Sequence, residues 1–98
     1  MEIIKNQEGN TLTVSVEGRL DTMTAPSFES ELSGSIKDIT SLVLDFSKLE
    51  YVSSAGLRVI LSAQKTMNTQ GEMKITNVNE EIMDVFEITG FADILTIE

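Results

Sequence analysis

With 98 residues, 41% hydrophobic and 23% charged, the chain suffices for one compact α/β domain spanning 1–98 with one core. It has no cysteine and no histidine, which excludes disulfides, thiolate chemistry, soft-metal sites and the usual neutral-pH general base. A net charge of −9, with only seven Lys and Arg scattered along the sequence, argues against nucleic acid as a direct partner.

Glu2 to Gln7 and Thr11 to Glu17 are expected as two strands around the turn Glu8-Gly9-Asn10. In the second, Leu12, Val14 and Val16 alternate with Thr11, Thr13 and Ser15, the period of a strand with one buried face. Gly18-Arg19-Leu20-Asp21 breaks that period and is expected as a loop. Pro26 suits the first turn of a helix capped by Thr24, with Phe28 and Leu32 on one face and an end near Ser33-Gly34. Ser41 to Phe46 carries the apolar run Leu42-Val43-Leu44, expected as a strand covered on both faces and closed by Asp45 at its C-terminal end.

From Ser54 to about Thr69, Arg58, Ser62, Lys65 and Thr69 form one polar stripe, while Leu57, Ile60, Leu61, Ala63 and Met67 fill the rest of the circumference. Gly71 ends the connection that follows, and Met73 to Thr76 are expected as the next strand. Asn79 caps a third helix with Glu80 and Glu81 in its first turn and Ile82, Val85 and Phe86 inside. Gly90 suits a left-handed C′ position with Phe91 folding back, and Ile94 to Ile97 add a short last strand. The element order implies a single mixed sheet of about four to five strands, with helices mainly on one face.

The most informative stretch is Asp45-Phe46-Ser47, then Tyr51-Val52-Ser53-Ser54-Ala55-Gly56-Leu57-Arg58. A buried strand ends in an acid, and after a short link two serines and a small-small pair open a helix. Either serine suits the N-cap, and Ala55-Gly56 lets another group approach the first turn. Free N–H groups and the dipole make such a terminus hospitable to an anion, including phosphate. Serines at this position are more often simple caps than functional groups, and Asp21, Asp45, Lys48 and Glu50 taken singly are ordinary loop or surface charges.

As a whole, the stretch resembles the signature of STAS domains, the family of bacterial anti-sigma factor antagonists. Gly18-Arg19-Leu20-Asp21, Lys74-Ile75-Thr76-Asn77-Val78 and Phe86-Glu87-Ile88-Thr89-Gly90-Phe91 extend the resemblance through nearly the whole chain. It implies a non-catalytic switch in which the serine preceding Ala55-Gly56-Leu57, Ser54, is phosphorylated by an anti-sigma factor that is itself a serine kinase. A serine phosphatase would reverse the modification and a sigma factor would be freed. Ser53 stands where the family carries aspartate and is a competing acceptor; the register on Gly56-Leu57 and an expected N-cap placement favour Ser54. The resemblance also implies that Asp21 and Asp45 lie near the site, in loops at the same end of the sheet. With Ser53, Ser54, Ala55, Gly56, Arg58 and Ser62, they make the expected partner-binding surface.

Three other roles compete. A STAS subunit of a transport or signalling assembly keeps the fold. A small anionic-ligand or nucleotide-binding domain would use the helix N-terminus, but no Gly-rich phosphate loop is present. A serine hydrolase lacks its histidine and would need Lys48 or Lys65 desolvated beside Ser54. No cofactor and no metal are expected. The start Met1-Glu2-Ile3-Ile4-Lys5 lacks a signal-peptide pattern and no apolar stretch is long enough to span a bilayer, so a cytoplasmic protein without membrane insertion is expected.

Overall fold

The computed structural model describes residues 1–98. Strands β1 (Glu2–Glu8) and β2 (Thr11–Leu20) pair antiparallel, with Glu8 opposite Thr11 across the two-residue turn. Helix α1 (Ala25–Ser35) carries the chain to β3 (Ser41–Val52), parallel to β2. Helix α2 (Ser54–Gln70) then leads to β4 (Glu72–Thr76), parallel to β3. Helix α3 (Glu80–Thr89) and a 3-10 turn, Phe91–Asp93, complete the order. The sheet runs β1-β2-β3-β4 and has four strands.

Leu12, Val14 and Val16 of β2, Leu42, Leu44 and Phe46 of β3, and Met73 and Ile75 of β4 share one buried cluster. Phe28 and Leu32 of α1, Leu57, Ile60 and Met67 of α2, and Ile82 and Phe86 of α3 complete it. All three helices therefore lie on the same face of the sheet. Full burial of a phenylalanine such as Phe28 or Phe86 contributes about 1.5–3 kcal/mol. No helix is long and apolar enough to cross a membrane.

Several expectations change. The Leu42-Val43-Leu44 run is not covered on both faces: Val43 points with Thr13 and Ser15 to the sheet face opposite the helices and is only half-buried. Gly18-Arg19-Leu20 is strand rather than loop, and Ser47 to Val52 is strand rather than link. Register irregularities between Ser15 and Glu17 and between Gly18 and Arg19 reset the side-chain parity. Across them, Phe46, Leu49 and Val52 are buried at a spacing of three, so the period of two disappears although pairing continues to Leu20 opposite Val52. Ile94 to Ile97 form no strand; a single parallel bridge joins Ile97 to Ile75.

Helix ends follow from local chemistry. Asn79 caps α3 by accepting from the Ile82 N–H at 2.8 Å, and its amide donates to the Leu49 carbonyl at 3.0 Å. Gly90 adopts the left-handed conformation at φ 82°, which a side chain would strain. Thr24 does not cap α1 through its side chain. Its hydroxyl donates to the Arg19 carbonyl at 2.8 Å and accepts from the Asp21 N–H at 2.9 Å.

The start of helix α2 as a candidate functional site

Because β4 ends opposite Asp45, β2 and β3 run on beyond it as a two-stranded extension. That extension delivers the chain to the start of α2. Ser53 is the N-cap, with extended backbone (φ −97°, ψ 175°), and its Oγ accepts from the Gly56 N–H at 3.4 Å. Its own N–H donates to the Leu20 carbonyl at 2.8 Å, and its carbonyl accepts from the Leu57 N–H at 2.9 Å. The expected N-cap placement of Ser54 is thereby corrected: Ser53 holds the cap. Ser54 is the first helical residue, exposed, and its hydroxyl has no hydrogen-bond partner. One serine builds the helix start; the other is left available on it.

Gly56 explains how this end is docked. A Cβ there would lie 2.7 Å from Leu20 Cγ and 3.0 Å from the Leu20 carbonyl oxygen. Only a residue without a side chain lets the first turn of α2 press against the end of β2. Ala55 is half-buried beside it and packs on the core.

The same contact places Asp21, the residue after Leu20, at the site. Its Oδ1 accepts from the N–H groups of Met23 at 3.0 Å and Thr24 at 3.1 Å. The Thr24 N–H does most to hold the Asp21 carboxyl below its usual pKa; desolvation opposes this, and the Met23 N–H, the Thr24 hydroxyl and the Arg19 charge add to it. Arg19 stacks over the Tyr51 ring at 4.3 Å and lies 3.8 Å from Asp21 Oδ2. This Arg19–Tyr51–Asp21 group was not foreseen as a unit, because Arg19 and Tyr51 become cross-strand neighbours only through the register irregularities. Met23, on the same loop, is 86% exposed.

Asp45 is not part of this arrangement. It lies inside β3 rather than in a loop, on the sheet face opposite the helices, and seven more strand residues follow it. At about 3.3 Å per residue, that puts it on the order of 20 Å from the start of α2. Its Oδ1 accepts from the Asn77 amide and the Ser47 N–H, both at 3.0 Å. The Asn77 amide is the main cause that lowers its pKa, against desolvation. Asp45 therefore stabilises the bulged region of β3 and the turn after β4.

Along α2, Arg58, Ser62, Lys65 and Thr69 are exposed, as their spacing implied. Leu61 is only half-buried, and Gln64, unremarked in the sequence, is 6% exposed with its amide donating to Asn68 at 2.8 Å.

The model of the STAS domain family matches residues 2–98. BtrV of Bordetella bronchiseptica is 32% identical over 99 residues, covering 99% of this chain and 85% of that protein. The anti-sigma-B factor antagonist of Listeria monocytogenes is 30% identical over 97 residues, covering 97% and 85%. Among solved structures, an anti-sigma factor antagonist from Mycobacterium paratuberculosis superposes with a TM-score of 0.89 at 21% identity, covering 98% of this chain and 83% of that one. The Bacillus cell fate determinant SpoIIAA in its phosphorylated form gives a TM-score of 0.77 at 17% identity, covering 99% and 91%. Four strands in this order, helices on one face and a match along nearly the full length lead to one statement: the chain belongs to the STAS domain family, alongside anti-sigma factor antagonists.

Proposed function

We propose that the chain acts as an anti-sigma factor antagonist switched by phosphorylation of Ser54. With Ser54 unmodified, it binds an anti-sigma factor that is also a serine kinase, and a sigma factor is freed. A serine phosphatase resets it, and all of this takes place in the cytoplasm. The observation that carries this reading is the division of labour between the serines: Ser53 is consumed as the cap, whereas the Ser54 hydroxyl is exposed and unbonded. Asp21, Gly56, Arg58 and Ser62 surround or extend the site as contact residues; Asp45 has only an indirect role through the sheet.

Phosphorylation adds about −1.5 to −2 charge to Ser54 at neutral pH. At the first turn of α2, which contains no acid, that charge is locally favourable by about 0.3–1 kcal/mol. Against a partner surface shaped for a neutral hydroxyl, an uncompensated buried charge costs several kcal/mol. The interface loses more than the helix gains, so the partner is released while the domain stays folded. The test is phosphate transfer from ATP by the host's anti-sigma factor kinase. Wild type and Ser53→Ala are expected to take one phosphate and Ser54→Ala none; a phosphorylated Ser54→Ala protein contradicts the assignment.

A further inference from the structure

Of seven cationic side chains, three are engaged. Lys5 meets Glu31 at 2.6 Å, Lys74 meets Glu98 at 3.8 Å, and Arg19 is held between Asp21 and the Tyr51 ring. Lys37, Lys48, Arg58 and Lys65 have no carboxylate partner. Among these, Arg58 alone stands one helical turn beyond Ser54, four residues further along α2. Helical side chains lean toward the N-terminus, so Arg58 covers the turn that Ser54 opens. An anion followed four residues later by a cation is the favourable order for a helical pair. No acid in the first turn of α2 occupies Arg58 beforehand.

We propose that Arg58 is the receiver for the phosphate on Ser54: its guanidinium closes on the phosphoryl oxygens and in doing so leaves the exposed stripe it shares with Ser62 and Lys65. The inference rests on Ser54 being the modified residue and adds what the modification does to its surroundings. Phosphorylation then acts twice, by placing charge on the contact surface and by withdrawing a cation from it. The other charged groups at this end do not substitute. Arg19 is occupied by Asp21 and Tyr51, and the Asp21 carboxylate is taken up by the Met23 and Thr24 N–H groups. The planar fork of arginine suits a phosphate in a way a lysine ammonium does not.

The test uses the full chain with phosphoserine incorporated at position 54 during synthesis, so that it is independent of any kinase. A phosphorus NMR titration follows the second ionisation of the phosphate. The expected midpoint lies below the ordinary value of about 6 and rises by about 0.2–0.4 unit in Arg58→Gln, with Arg58→Lys between. The Arg58 Nε resonance is expected to shift only in the phosphorylated protein. Equal midpoints in wild type and Arg58→Gln, with an unmoved Arg58 resonance, overturn the proposal. A kinase that leaves Ser54 untouched would instead sink the switch itself, and this titration would not register it.

Discussion

Removing each serine hydroxyl in turn separates architecture from signalling. In Ser53→Ala the backbone bonds of residue 53 to Leu20 and Leu57 survive, and only the side-chain bond to the Gly56 N–H is lost. At 3.4 Å that bond is longer than the usual 2.9–3.0 Å, which places its loss toward the lower part of the range for cap removal, about 0.5–1 kcal/mol. For a domain of this size the corresponding fall in Tm is about 2–8 °C. Ser54→Ala loses no bond and gains the better helix propensity of alanine, so its stability should lie within about 0.5 kcal/mol of wild type, on the favourable side. Urea unfolding at fixed m-value, with thermal melts alongside, measures both. A silent Ser53→Ala and a Ser54→Ala that loses about 1 kcal/mol or more would mean that the two hydroxyls had been assigned the wrong roles.

Three further outcomes follow from named contacts. Gly56→Ala gains about 1 kcal/mol of helix propensity but forces a methyl group against Leu20; overpacking costs about 1–3 kcal/mol, so a net loss near 1 kcal/mol is expected by denaturant unfolding. The Asp45 carboxyl titrates lower in the folded than in the unfolded chain, so its stabilisation is complete above the unfolded value near 4 and is lost as pH falls through the folded value. Asp45→Asn should therefore flatten the acid limb of a stability–pH curve below about pH 4 and leave Ser54 phosphorylation unchanged. Asn79→Ala removes both the α3 cap and the bond to Leu49, and about 2 kcal/mol is expected to disappear in the same unfolding assay.

The helices were legible because their signals are local. Arg58, Ser62 and Lys65 recur at helical spacing, and Asn79 and Gly90 mark the ends of α3 by their own chemistry. The far halves of β2 and β3 were not legible, since the irregular register turns a period of two into the spacing Phe46, Leu49, Val52. The same cause displaced the candidate site. A loop after Asp45 would have left its carboxylate beside the serines, whereas seven more strand residues carry the chain away from it. The expected cap at Ser54 fell one residue off, because both serines have the chemistry for it and nothing adjacent to them discriminates. The choice depends on Ser53 pairing with the Leu20 carbonyl, a contact 33 positions away along the chain. Arg19 and Tyr51 gave no hint of meeting for the same non-local reason.

Charge on one hydroxyl deciding whether a second protein stays bound is tested most directly by comparing the partner kinase's Kd for the unmodified chain and for the chain phosphorylated at Ser54. An uncompensated charge costing about 3 kcal/mol weakens binding roughly 100-fold, with amide shifts confined to the Asp21 loop and the first turns of α2. Equal affinity for the two forms would contradict the account.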